Sequence, residues 1–221
     1  MNQNDSLKWY QDHTEEFIAR TADVDMTAHY SRFLEQVVPG GHILDLGCGS
    51  GRLLYALKTL KRAKVMGVEN DQQKILECAA RGIPVIHASL DAALTDFCDD
   101  SYDYVILSRT IQSVQRPDII LNEMLRIGER GIVSYMNFGH INARIQMLFG
   151  HMPVNRNLPL PWYNTPTIRP GTASDFKDLC KTLDIKICRE IPLTNEGDYL
   201  RRLAVLWPNL FASNSIFVIS K

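Results

Sequence analysis

The order of elements along the chain predicts an α/β fold of the Rossmann-like kind, a seven-stranded, mostly parallel sheet with helices on both faces. Three observations predict it. A short apolar run, Ile43-Leu-Asp-Leu46, breaks into a turn with glycine at 47, 49 and 51, and helical spacing resumes from Leu53 to Lys61. Strand, glycine turn and helix open a βαβ unit, and a strand buried on both faces reads as a near-continuous apolar run. A second such segment, Lys64 to Glu69, ends on a carboxylate eighteen residues past Gly51. Short strands then alternate with amphipathic helices, Tyr102 to Ser108 being the clearest strand, and that alternation builds parallel sheets.

The glycine turn sets the chemistry. Glycine is required where backbone passes close to a ligand, because a Cβ would collide with it. A dinucleotide fingerprint needs a further glycine at position 52, where Arg52 stands, which sets a nicotinamide oxidoreductase aside. Glu69, ending the second strand, is placed to accept the hydroxyls of a ribose. Taken singly, these residues make only a turn and a solvated strand end; their joint spacing favours a nucleoside site. With Asp45 two residues before the first glycine, the pattern resembles motif I of class I S-adenosylmethionine-dependent methyltransferases. The resemblance implies a class I methyltransferase fold whose loop lies under the methionine part of S-adenosyl-L-methionine, with S-adenosyl-L-homocysteine as product. It makes Asp45, Gly47, Cys48, Gly49, Gly51, Glu69 and Asn70 cofactor-binding candidates.

At 221 residues the chain fits one domain with decoration, long enough to bury a large core. Lys plus Arg number 24 against 25 Asp plus Glu, a formal charge of −1. There is no Lys/Arg run, which argues against nucleic acid as a partner. Five cysteines, odd in number and without Cys-x-x-Cys, point to free thiols in a reducing cytoplasm. The polar N-terminus is no signal peptide, and no apolar run approaches the ~18 residues of a membrane span. A cytoplasmic protein without membrane contact is therefore expected. His13, His29, His42, His87, His140 and His151 lack metal-ligand spacing, so no metal site is expected.

Taken in order, residues 1–38 read as an N-terminal helical lid ahead of a main domain at 39–221. Two helices are expected between Asp5 and Val38, the second capped by Asp25 or Thr27. They either cover one sheet face or close over the cofactor, with Tyr10, Arg20 and Thr21 reaching its carboxylate. Asp71 caps a helix through Arg81, Gly82 closes it, and Pro84 to Ala88 forms the third strand. Ligands in doubly wound sheets bind beyond the carboxyl ends of the strands, so Ser108, Arg109 and Gln112 face the site. Pro117 opens the helix to Ile127, and Gly131 to Met136 is the fifth strand. A further helix reaches Phe149. Residues 152–170, with Pro153, Pro159, Pro161, Pro166 and Pro170, form a long loop. Trp162 and Tyr163 favour an ordered flap there. A helix from Thr172 to Leu183 has Ser174 as its expected cap. Lys186 to Pro192 and Ser215 to Ser220 supply a C-terminal antiparallel strand pair.

Beyond motif I, several stretches resemble the methionine-biosynthesis MetW family: Phe97 through Leu107, Arg116-Pro-Asp, Asn137-Phe-Gly-His140, Met152-Pro-Val, Trp162-Tyr-Asn-Thr-Pro166 and Trp207-Pro-Asn-Leu210. With motif I included, the resemblance runs from about Val38 to the C-terminus, roughly four-fifths of the chain. In methyltransferases the loop after strand three holds the adenine. Here Ser89 stands at the usual Asp position and the Leu90 amide remains a backbone contact. The MetW resemblance implies a place in methionine synthesis beside homoserine O-acyltransferase. Two functions follow from it: methyl transfer to a small-molecule acceptor, or an accessory role that binds cofactor or acyltransferase without transfer. The forty or so residues before strand one, unlike typical members, favour the first. His140 is the candidate base where the acceptor carries a proton, its alternative being a loop cap. Tyr163 is the second catalytic candidate, its alternative being flap packing. Tyr135 and Gln112 are further candidates for the acceptor pocket.

Overall fold

The computed structural model describes residues 27–90, 94–154, 162, 168–194 and 198–221. Seven strands form one sheet: β1 (His42–Leu46), β2 (Lys64–Glu69), β3 (Val85–His87), β4 (Tyr102–Ser108), β5 (Gly128–Met136), β6 (Lys186–Leu193) and β7 (Asn214–Ser220). Their order is β3-β2-β1-β4-β5-β7-β6. β1 pairs in parallel with β2 and β4, whereas β7 runs antiparallel to both β5 and β6. The expected parallel sheet with an antiparallel C-terminal pair is therefore the fold observed. The chain goes one way from β1 through β2 to β3 and the other way from β4, so the switch point lies between β1 and β4. Ligand crevices in such sheets open there.

Helices cover both faces because β1 and β4 are apolar on both. Ile43, Leu44, Leu46, Val105, Ile106 and Leu107 are all fully buried, each contributing about 2 kcal/mol of burial. On one face lie α1 (Thr27–Gln36), through Phe33 and Val37, and α2 (Arg52–Lys61), through Leu53, Leu54 and Leu57. Cys78 of α3 (Gln72–Ala80) joins them. On the other face lie α4 (Pro117–Ile127), through Ile120, Leu121, Met124 and Leu125. They are joined there by Phe176 and Cys180 from α6 (Ala173–Thr182), which follows α5 (Ile141–Leu148) in the chain. Two helices not expected from the sequence follow β6, α7 (Asp198–Leu206) and α8 (Pro208–Phe211).

Helix starts follow capping chemistry with one correction. Asp71 caps α3 as expected, accepting the Gln73 and Lys74 amides, and Pro117 opens α4. The expected cap Ser174 is replaced by Thr172. Its hydroxyl accepts the Asp175 amide at 3.2 Å while Asp175 Oδ2 accepts the Thr172 amide at 2.7 Å. That reciprocal box satisfies two otherwise orphaned amides at once. Most of the expected lid, with Tyr10, Arg20, Thr21 and the Asp25 cap, lies outside the described residues. So does Tyr163, with most of the 152–170 flap. The described end of that flap is tied to β4's exit, Ile168 and Arg169 each donating a main-chain amide to Gln112 O.

Candidate functional site

The glycine turn at the end of β1 is held by its own backbone. Gly47 and Cys48 both donate to Val68 O of β2, at 2.8 and 3.0 Å, and Gly51 donates back to Cys48 O at 3.0 Å. Gly47, Gly49 and Gly51 all have positive φ, at 74, 56 and 74°, the region open to glycine and costly for other residues. What a side chain would meet differs among the three. A Cβ on Gly47 would sit 2.8 Å from Thr110, and one on Gly51 2.8 Å from Cys78 Sγ, but one on Gly49 would have no atom of the other described residues within 4 Å. The first and third glycines are bare because protein packs against them. The middle one faces open space, which is where a ligand can approach.

Two buried carboxylates flank that turn. Glu69, 6 % exposed, accepts the Gly49 amide on Oε2 at 2.7 Å and the Asn70 and Asp71 amides on Oε1 at 3.0 and 3.1 Å. Three of its roughly four lone-pair positions are thus taken by main-chain donors. Among the described residues no donor takes the remaining position at Oε2. Asp45, 2 % exposed, has a buried Oδ1 without a hydrogen-bond partner among the described residues. Burial, and secondarily the Glu69 charge, push its carboxyl up to about 7. A buried acceptor left unmade costs about 1–3 kcal/mol, and a cationic or donating ligand group would relieve it.

The rim comes from neighbouring elements. Arg109, exposed at the end of β4, has φ 58°, a strained position of the kind that gathers at functional sites. Thr110 Oγ1 donates to Ser108 O at 3.0 Å across that bend. Ser108 is half-buried beside it. Tyr30 of α1 is half-buried. Burial raises its hydroxyl's pKa, and Arg52, Asp45, Arg109 and Arg81 all act on it electrostatically. Tyr30 thus lies within electrostatic reach of Asp45 and Arg109, although the sequence shows it only as one position of an apolar stripe. Thr110 is likewise a contact the sequence does not signal.

The remaining candidates separate into two groups. Asn70 and Ser89 are exposed at the carboxyl edge of β2 and β3, while the Leu90 side chain packs on the core. Gln112 is buried, 4 % exposed. Its Oε1 accepts the Met136 amide at 2.9 Å and its Nε2 donates to Met136 O at 3.0 Å, so both ends of the side chain are engaged on β5. Tyr135 is also core, its ring centroid 5.1 Å from that of Phe176. His140 takes the capping position of α5, Nδ1 accepting the Asn142 amide at 3.3 Å, and is 7 % exposed. Asn137 beside it is a buried hub. Its Oδ1 accepts the Gly139 and Ala173 amides, and its Nδ2 donates to Ala212 O at 2.8 Å.

Under the turn lie two thiols. Cys48 Sγ and Cys78 Sγ are 3.9 Å apart, and Cys78 Sγ donates to Gly49 O at 3.1 Å. Burial raises the pKa of both. Among the described residues no group of three or more His, Cys, Asp or Glu is placed to hold a metal, and no helix is long and apolar enough to cross a membrane.

Comparison with known proteins places this geometry. The family model for methionine biosynthesis protein MetW matches residues 27–219. A bifunctional methionine biosynthesis protein MetXA/MetW from Rhodopirellula baltica is 37% identical over 188 residues, covering 80% of this chain and 30% of that protein. The chain thus spans under a third of that relative's length. A mitochondrial ubiquinone biosynthesis O-methyltransferase from Dictyostelium discoideum is 24% identical over 75% of this chain and 58% of its own length. Among solved structures, a SAM-dependent methyltransferase from Thermotoga maritima, a possible histamine N-methyltransferase, superposes with TM-score 0.63 at 16% identity, covering 99% of this chain and 95% of that one. One from Mesorhizobium loti gives 0.63 at 15% identity over 90% and 99%. The fold is that of class I methyltransferases.

Proposed function

Since the chain belongs to the methionine biosynthesis protein MetW family, we propose from that premise that it is an S-adenosylmethionine-dependent methyltransferase acting on a small-molecule acceptor. The observation that carries the reading is the pairing of an open middle glycine, Gly49, with two buried carboxylates, Asp45 and Glu69. The residues fit the cofactor on two counts. The space above Gly49 is one a Cβ would enter, and Asp45 Oδ1 is an orphaned acceptor suited to a cationic ligand.

When bound, the cofactor supplies an activated methyl group on a sulfonium. The chain's own part is to hold and orient. Glu69 offers its open lone pair to a ribose hydroxyl, Asp45 offers a charge-complementary oxygen, and the Leu90 amide offers a contact to the base. Tyr30, Ser108 and Arg109 shape the mouth and exclude water, so that an acceptor meets the methyl in line. His140 is assigned a structural part, its Nδ1 accepting the Asn142 amide at the start of α5. Incubation with methyl-labelled S-adenosylmethionine and a panel of small amine, thiol and hydroxyl acceptors tests the reading. Labelled product and S-adenosylhomocysteine formed in equal amounts support it; bound cofactor without turnover on any acceptor opposes it.

One observation favours a second reading, an accessory protein of a homoserine O-acyltransferase. In the Rhodopirellula relative, named for both MetXA and MetW, the matched segment is only 30% of the protein. Mixing the chain with a homoserine O-acyltransferase separates the two. Co-elution and a changed acyl-transfer rate support the accessory role.

A further inference from the structure

We infer that Cys48 and Cys78 form an oxidisable thiol pair whose disulfide disables the glycine turn, an inference that rests on the cofactor site proposed above. The two sulfurs lie 3.9 Å apart although thirty positions separate them in the chain. Each is wedged where a glycine leaves room. Cys48 Sγ occupies the space a Cβ on Gly67 would need, and Cys78 Sγ lies 2.8 Å from where a Cβ on Gly51 would stand. Cys78 also donates its thiol proton to Gly49 O at 3.1 Å. One sulfur is therefore part of the turn and the other is among its supports.

A disulfide is about 2.05 Å long, so oxidation must close roughly 1.9 Å between the sulfurs. Cys78 is fully buried on α3, and the movement falls on residues 48–51. The Cys78 thiol proton is lost, and with it the bond to Gly49 O. The Gly49 amide is then drawn off Glu69 Oε2, the contact that aligns carboxylate and turn. The chemistry balances with hydrogen peroxide as oxidant. One thiol, as thiolate, attacks a peroxide oxygen to give a sulfenic acid and water. The second then displaces that oxygen as water, so that two thiols and one peroxide yield one disulfide and two waters. Burial keeps both sulfurs protonated at rest, which slows their oxidation and keeps the pair reduced under brief exposure to peroxide.

Cys98 and Cys188 are exposed and are first changed to serine to remove competing thiols. The resulting protein is treated with hydrogen peroxide, mapped by mass spectrometry, and titrated with S-adenosylhomocysteine before and after dithiothreitol. The expected result is a Cys48–Cys78 link, affinity lower by about tenfold or more, and recovery on reduction. Cys78→Ala, or Cys78→Ser where alanine does not fold, is expected to show the same affinity with and without peroxide. Failure to find the link, or a link that leaves affinity within about twofold, overturns the inference. Absence of binding by the fully reduced protein contradicts the cofactor reading itself, and so is told apart from either of those results.

Discussion

Glu69 Oε2 accepts the main-chain amide of Gly49 at 2.7 Å, joining the end of β2 to the middle glycine of the turn after β1. The same carboxylate collects the Asn70 and Asp71 amides on its other oxygen. It therefore aligns the turn and keeps one lone pair for a ligand. Glu69→Gln retains the side chain's shape but loses the charge and one acceptor. Hydrogen bonds to a charged group are worth about 1.5–3 kcal/mol. Calorimetric titration is expected to show S-adenosylhomocysteine binding weakened about ten- to a hundred-fold.

Gly49 and Gly47 of the turn are expected to respond differently to alanine. Gly49→Ala meets no protein atom within 4 Å, so the fold bears only the left-handed backbone cost of about 1–2 kcal/mol, while the cofactor's space is invaded. Gly47→Ala adds a 2.8 Å approach to Thr110 to the same strain. Thermal melts and ligand titrations run together should find Gly49→Ala folded but unable to bind. Gly47→Ala should melt lower than Gly49→Ala.

Asp45 is expected to make both stability and binding depend on pH. Its carboxyl is raised to about 7 by burial and then by Glu69, against about 3.9 in an unfolded chain. The native state therefore holds the extra proton. This contribution to stability is fully present below the unfolded value and is lost as pH rises through about 7, at up to about 1.4 kcal/mol per pH unit. A cationic ligand favours the ionised form, so affinity for S-adenosylmethionine should rise over the same window. Denaturant midpoints and titrations from pH 5 to 8 check both trends, and Asp45→Asn should flatten them.

His140 caps α5 through Nδ1, and loss of a cap costs about 1 kcal/mol. His140→Ala is expected to lower the melting temperature by a few degrees and leave S-adenosylhomocysteine affinity as it was. A large fall in turnover at unchanged KM would instead restore His140 as the base.

The sheet and the glycine turn were legible because their signals are local. An apolar run, three alternating glycines and a carboxylate at a set distance all lie within thirty residues. The cap of α6 was also legible. Thr172 with Asp175 three residues on is the reciprocal pattern, whereas Ser174 is already the second residue of the helix. Other features depend on residues far apart in the chain. Gln112 follows β4, where ligands bind, yet the short helical turn Ile111–Ser113 carries it onto Met136 of β5. Tyr30 and Thr110 reach the site only because α1 and the β4 exit pack beside the turn. The stretch Asn137-Phe-Gly-His140 reads as chemistry in a sequence. In the fold, Asn137 binds the 208–212 segment and the start of α6, and His140 caps α5.

The central claim is that the bare turn beside Asp45 and Glu69 holds a sulfonium nucleoside. Calorimetric titration of the intact protein with S-adenosylmethionine and S-adenosylhomocysteine tests it most directly. Saturable binding of both at a single site, lost in Gly49→Ala, is the expected result. A folded protein that takes up neither would contradict it.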